Sequence, residues 1–135
     1  MPDSLLDFTG KVVLVTGGAT GIGQATSLAF ARQGATVVIG DVDDRATETV
    51  RLIEEQGGTA LFVRTDVTVA ADVERLVQTA VDKYGRVHVA FNNAGILPPT
   101  GPLLDQTEAD WDKTIAVDLK GVFLALKYEI AHMVA

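Results

Sequence analysis

Short apolar runs rich in β-branched residues alternate along this chain with longer stretches in which apolar positions recur every three or four residues. The first run, Lys11 to Thr16, holds an unbroken VVLV and predicts a strand covered on both faces, as in a parallel sheet. Ile22, Ala25, Leu28 and Ala29 then follow helical spacing up to Gln33 and Gly34, where the glycine supplies a stop. TVVIGD repeats the buried-strand pattern. Ala46, Val50 and Ile53 predict a second amphipathic helix that ends at Gln56 to Gly58. A third strand is expected at Ala60 to Val63, followed by the stripe Val73, Leu76, Val77, Ala80, Val81 and Tyr84, which Gly85 ends. VHVAF predicts a fourth strand leading into NNAG. After the loop signals of ILPPTGP, Thr107 and Asp110 form a capping box for a final helix through Asp112 to about His132.

Alternation at this spacing, with short connections, predicts an α/β fold: a Rossmann-like, doubly wound parallel sheet with right-handed crossovers and helices on both faces. Four strands and four helices are expected in one domain, residues 1–135.

Composition narrows the class of partner. A net charge of −7, with no basic cluster, argues against nucleic acid or an anionic membrane as the main partner and favours a small solute. The absence of cysteine excludes disulfides, thiolate metal sites and a cysteine nucleophile, and suits a reducing cytoplasm. The opening MPDSLLDFTG lacks the basic flank and apolar run of a secretion signal. Ile115 to Ala131 is apolar but interrupted by Asp118, Lys120, Lys127 and Glu129, so no bilayer crossing is expected. His88 and His132 stand alone, which gives no metal set. Trp111 is expected to pack at the start of the last helix.

Chemistry concentrates at VTGGATGIGQ, where the first strand hands over to the first helix. In a parallel sheet this edge presents helix N-termini, whose unpaired N–H groups and positive dipole attract phosphate. Gly17 permits a tight turn, Gly21 lets a diphosphate approach the backbone, and Gly23 allows the helix to pack closely because no Cβ intervenes. Gln24 stands where a nucleoside triphosphatase loop would carry Lys-Ser/Thr, so that chemistry is not expected. Asp41, at the tip of the second strand, is placed for the two hydroxyls of an adenosine ribose and would repel a 2′-phosphate. With no cation in the glycine loop, NAD is expected over NADP. Arg45, beside Asp43 and Asp44, is read as a solvated residue at a helix start.

With these residues in place, the chain resembles the classical short-chain dehydrogenase/reductase family along essentially its whole length. TGGATGIG fits that family's Thr-Gly-x-x-x-Gly-x-Gly loop, Asp66-Val67 its adenine contact, and Asn92 to Gly95 its NNAG motif. The resemblance implies a cofactor site of Gly17, Thr20, Gly21, Ile22, Gly23, Asp41, Val42, Asp66, Val67, Asn93, Ala94 and Gly95. It further implies that Asp66 accepts from the adenine amino group and Val67 contributes a backbone contact. Asn93, Ala94 and Gly95 would line the ribose, and Thr16 would brace the NNAG turn through its hydroxyl. Asn92 reads as the more structural of the two asparagines.

The family's proton relay uses a serine and a Tyr-x-x-x-Lys pair, the ammonium bringing a phenol of pKa about 10 into range. Here Tyr84 is followed by His88 and Tyr128 by His132, while Ser4 and Ser27 lie upstream of where the serine belongs. The chain is therefore expected to hold the cofactor half and to be inactive alone. Asp118 stands at the family's asparagine, which marks an irregularity in the last helix, and is weighed as a relay-site residue against a plain helix residue. Truncation would leave the last helix and the fourth strand's edge open to association, with a homo-oligomer expected for the complete protein. The resulting expectation is an NAD-dependent oxidoreductase acting on an alcohol/ketone pair. A non-catalytic nucleotide-binding or assembly module is the alternative, and an S-adenosylmethionine-dependent methyltransferase a more distant one.

Overall fold

The computed structural model describes residues 5–135. The expectation that the first ten residues are no secretion signal thus falls partly outside the described residues, as does Ser4.

Strands β1 (Val12–Thr16), β2 (Thr36–Asp41), β3 (Thr59–Arg64) and β4 (Val89–Asn92) form one wholly parallel sheet in the order β3-β2-β1-β4. Every residue of β1 is buried, because alternate side chains enter opposite layers. Val13 and Val15, with Val37 and Ile39 of β2, pack under α1 (Gly21–Arg32) and α2 (Ala46–Glu55). Val12, Leu14 and Val38 face the other way, against Leu76, Val77 and Ala80 of α3 (Ala70–Tyr84). The helix that runs α3's stripe ends on Gly85 at φ 86°, the left-handed stop that glycine accepts.

The final helix differs from a single regular rod. Thr107 caps it as expected, its hydroxyl accepting from Asp110 N at 3.1 Å and donating to the Asp110 carboxylate at 2.7 Å. The helix then runs as α4 (Glu108–Ile115), a π turn (Ala116–Lys120) and α5 (Gly121–Met133). At the π turn, Gly121 N donates to Ala116 O across five residues. The irregularity expected around Asp118 is present. Trp111 corrects another expectation: it is 68% exposed rather than packed. It sits at the start of a helix whose outward face also carries Leu119, Phe123, Leu126 and Ile130, all exposed.

The fourth strand starts later than VHVAF suggests, at Val89. His88 still joins the ladder in another way: its N–H donates to Val12 O at 2.9 Å while its ring Nδ1 accepts from Val12 N at 2.9 Å. A side chain thus takes the place of a strand carbonyl.

Topology determines where a ligand can sit. From β1 the chain moves outward through β2 and β3, then returns to place β4 on β1's other side. The loops leaving β1 and β4 diverge, and the crevice between them is the switch point of an open α/β sheet.

Candidate functional site

Gly17 leaves β1 at φ 71°, and its N–H donates to Gly40 O at 2.8 Å, which ties the turn to β2. Gly21 opens α1 at φ 55°, and a Cβ there would meet nothing within 4 Å, because that direction is the open crevice. Gly23 is the opposite case: a Cβ would lie 1.9 Å from Gly17 O and 2.7 Å from Asn93 Nδ2. At Gly23 the helix therefore packs close to the glycine loop and the NNAG corner, while Leu28, Phe30 and Ala31 further along it lie on the sheet. Thr20 caps α1 without a side-chain hydrogen bond, and the first turn holds no acidic residue. The helix start thus presents free N–H groups, an environment suited to an anion.

Three side chains hold this loop. Asp41 Oδ2 accepts from Ala19 N at 3.0 Å, and its Oδ1 accepts from Asp43 N at 2.9 Å. Thr49, on α2 and fully buried, donates its hydroxyl to Gly18 O at 2.9 Å and accepts from Gln24 Nε2 at 3.1 Å. Asn93 Nδ2 donates to Thr16 O and Gly17 O, both at 3.2 Å. Thr16 returns the support, its hydroxyl accepting from Asn93 N and Ala94 N at 3.1 Å each, so the bracing expected of it is present.

The crevice measures about 690 Å³. Gly17, Thr20, Gly21, Ile22, Asp41, Val42, Asp66, Val67, Asn93, Ala94 and Gly95 all line it, together with Lys113, Ala116 and Val117. Of the twelve residues expected at a cofactor site, only Gly23 stands behind the wall, supporting it. At the far end, Asp66 Oδ1 accepts from the backbone and hydroxyl of Thr68, at 2.9 and 2.6 Å, and no described residue bonds its Oδ2. The Asn93 side-chain amide donates to the glycine loop, and Asn93, Ala94 and Gly95 line the crevice.

Asp118 does not line this crevice. It is exposed, so no buried charge arises, and its Oδ1 accepts from Ile96 N at 2.8 Å, fixing the chain just past Gly95. A role for it in proton transfer stays an expectation from the resemblance.

The cations near β2 are already paired. Arg45 binds Asp43 at 2.6 Å, and this hydrogen bond raises the guanidinium's pKa while holding the Asp43 carboxyl below its ordinary value. Arg64 binds Asp44 at 2.6 Å. Among the described residues no group of His, Cys, Asp or Glu is arranged to hold a metal ion, and no helix is long and apolar enough to cross a membrane.

Two residues were not singled out in the sequence. Thr49 carries no local signal, since its partners lie 31 residues away. Glu129 looks like a charge breaking an apolar run, yet it is 1% exposed and accepts from Asn92 Nδ2 at 2.9 Å. The stripe Gly121, Ala125, Glu129, all buried at four-residue steps, was the available signal.

Residues 11–135 match the family described as short chain dehydrogenase. An uncharacterised oxidoreductase of Thermotoga maritima is 44% identical over 129 residues, covering 95% of this chain and 50% of that protein. The cis-4-hydroxycyclohexanecarboxylate dehydrogenase of Sinomonas cyclohexanicum is 43% identical, with 95% and 51% covered. Among solved structures, a short-chain type dehydrogenase/reductase from Mycobacterium marinum superimposes with a TM-score of 0.92 at 32% identity, covering 96% of this chain and 53% of that one. An NAD+-bound xylitol dehydrogenase gives 0.91 at 31% identity, with 94% and 49% covered. This chain, which spans about half the length of the curated relatives it matches, belongs to the short-chain dehydrogenase family.

Proposed function

We propose that this chain supplies the dinucleotide site of an NAD-dependent oxidoreductase that moves hydride between nicotinamide and a small alcohol or ketone. The carrying observation is Asp41: a carboxylate on the crevice wall beside the glycine loop, with the nearby cations Arg45 and Arg64 engaged by Asp43 and Asp44. Each oxygen of Asp41 accepts one backbone N–H and keeps a second lone pair for a ribose hydroxyl, while its charge opposes a 2′-phosphate. The free N–H groups at the start of α1 take the diphosphate, and the free arm of Asp66 takes the adenine amino group. Bound there, nicotinamide supplies the hydride donor or acceptor.

The named relatives are oxidoreductases, which favours this reading over a non-catalytic module or a methyltransferase. The proton relay is assigned to a serine, tyrosine and lysine outside this chain. Tyr84 and Tyr128 both pack in the layer under α3 and do not line the crevice.

Fluorescence titration tests the proposal. NADH should bind more tightly than NADPH and S-adenosylmethionine, and Asp41→Asn should narrow the gap between the two dinucleotides. Equal or tighter binding of NADPH by the unaltered protein would overturn the NAD assignment.

A further inference from the structure

The contact between α5 and the end of β4 contains two unfulfilled polar atoms. Glu129 Oε2 accepts from Asn92 Nδ2 at 2.9 Å, leaving each side chain one further arm. Glu129 Oε1 and Asn92 Oδ1 are both buried, and neither has a hydrogen-bond partner among the described residues. An ionised carboxylate here would be a buried charge with a single hydrogen bond and no counter-charge, and Asn92 would keep an unmet acceptor.

The surroundings offer no compensation. Of α3's charged residues, Asp72 pairs with Arg75, Glu74, Asp82 and Lys83 lie exposed, and Tyr84 packs in the apolar layer. Strand β4 carries no ionisable residue. In the π turn, Asp118 binds Ile96 N and Lys120 is exposed. On α5 itself, Lys127 lies over the Tyr128 ring and His132 is a turn away, and Arg86, ahead of β4, donates to the Met133 carbonyl at 3.4 Å. None of these hydrogen-bonds or ion-pairs with Glu129.

We infer that one proton completes both residues: Glu129 is held as a neutral acid whose Oε1–H donates to Asn92 Oδ1, joining two planar forks by two hydrogen bonds. Burial, which raises the carboxyl pKa above its ordinary 4.5 against the opposing effect of the Asn92 bond, acts in the same direction. Asn92 is in register with Thr16, and the next residue clamps Thr16 and Gly17, so the closed pair anchors α5 to the corner that holds the glycine loop. Glu129 is thereby a positioning residue whose grip depends on its proton.

Because the folded pKa is raised, the pair's contribution is fully present below 4.5 and is lost as pH rises through the raised value. Infrared spectroscopy on the protein as its gene encodes it, on the rising side of pH 4.5, should show a protonated carboxyl band that Glu129→Gln removes. Glutamine can form the same pair of hydrogen bonds at every pH, its amide oxygen accepting from Asn92 Nδ2 and its amide nitrogen donating to Asn92 Oδ1. Its advantage in thermal midpoint over glutamate should therefore widen as pH rises from 4.5 and then level off. A carboxyl carbon resonance of Glu129 titrating at the ordinary value would overturn the inference, and that measurement needs no variant to fold. A gap that stays constant with pH would overturn it as well. Only the consequence for dinucleotide affinity, which should fall with rising pH in the unaltered protein and not in Glu129→Gln, rests on the proposed function. Failure of that arm alone, with the carboxyl band present, would count against the cofactor reading.

Discussion

Gly21 and Gly23 stand two residues apart and do opposite work. A methyl group at Gly23 has no room, since Gly17 O and the Asn93 amide occupy its place, whereas one at Gly21 points into the crevice. Gly21→Ala must also hold a side chain in the left-handed region, at about 1–2 kcal/mol. Calorimetry should find Gly21→Ala folded with a modestly lowered midpoint, while NADH titration finds its affinity sharply reduced. Gly23→Ala should lose both fold stability and binding. Equal behaviour of the two variants would refute the division of labour. Thr49 makes a parallel case with no ligand contact. Thr49→Val keeps the shape but strands the Gly18 carbonyl, costing about 1–3 kcal/mol. Thr49→Ser should restore NADH affinity to nearly that of the unaltered protein, and a serine no better than valine would show that packing, not the hydroxyl, holds the loop.

At the level of elements, most boundaries could be read in advance because each is set by neighbours in sequence: Gly85 ends α3, and Thr107 with Asp110 starts α4. The buried strands announced themselves through unbroken β-branched runs, and the glycine loop through its place between strand and helix. What stayed hidden depends on partners far along the chain. Asn93 reaches Gly17 across 76 residues and Glu129 reaches Asn92 across 37; the stripe Gly121, Ala125, Glu129 marks a buried face but not the partner on it. His88 belongs to this second group: read as an isolated residue, it starts the β1–β4 pairing through its ring. Nδ1 must stay unprotonated to accept from Val12 N, and the ring's pKa is lowered, first by burial and then by Lys11 and Arg86. The bond's contribution is therefore present above the ordinary 6.5 and is lost as pH falls through the lowered value. A His88→Phe variant should show a flatter dependence of thermal midpoint on pH below 6.5 than the unaltered protein. Parallel curves would mean that the ring bond contributes nothing to folding.

For the molecule as a whole, the site and the free surfaces lie on different sides of the same helix. Through α4 and the π turn it gives Lys113, Ala116 and Val117 to the crevice, and through α5 it buries Leu124, Ala125 and Glu129. Leu119, Phe123, Leu126 and Ile130 form a second stripe, 43 to 63% exposed, at steps that align them along one face. At about 25 cal/mol per Å² of apolar surface removed from water, covering such a face gives a substantial drive to association. We expect a solution of this 135-residue chain to sediment with a mass that grows with concentration. Phe123→Glu with Leu126→Glu should return it to monomer with unchanged circular dichroism, because these positions face outward and a charge there leaves the core intact. The double variant should also keep whatever NADH affinity the chain has, since neither residue lines the crevice or touches the side chains that brace it. Affinity lost together with association would instead tie the dinucleotide site to the assembled state. A chain that sediments as a monomer at every concentration would show that the stripe drives no assembly.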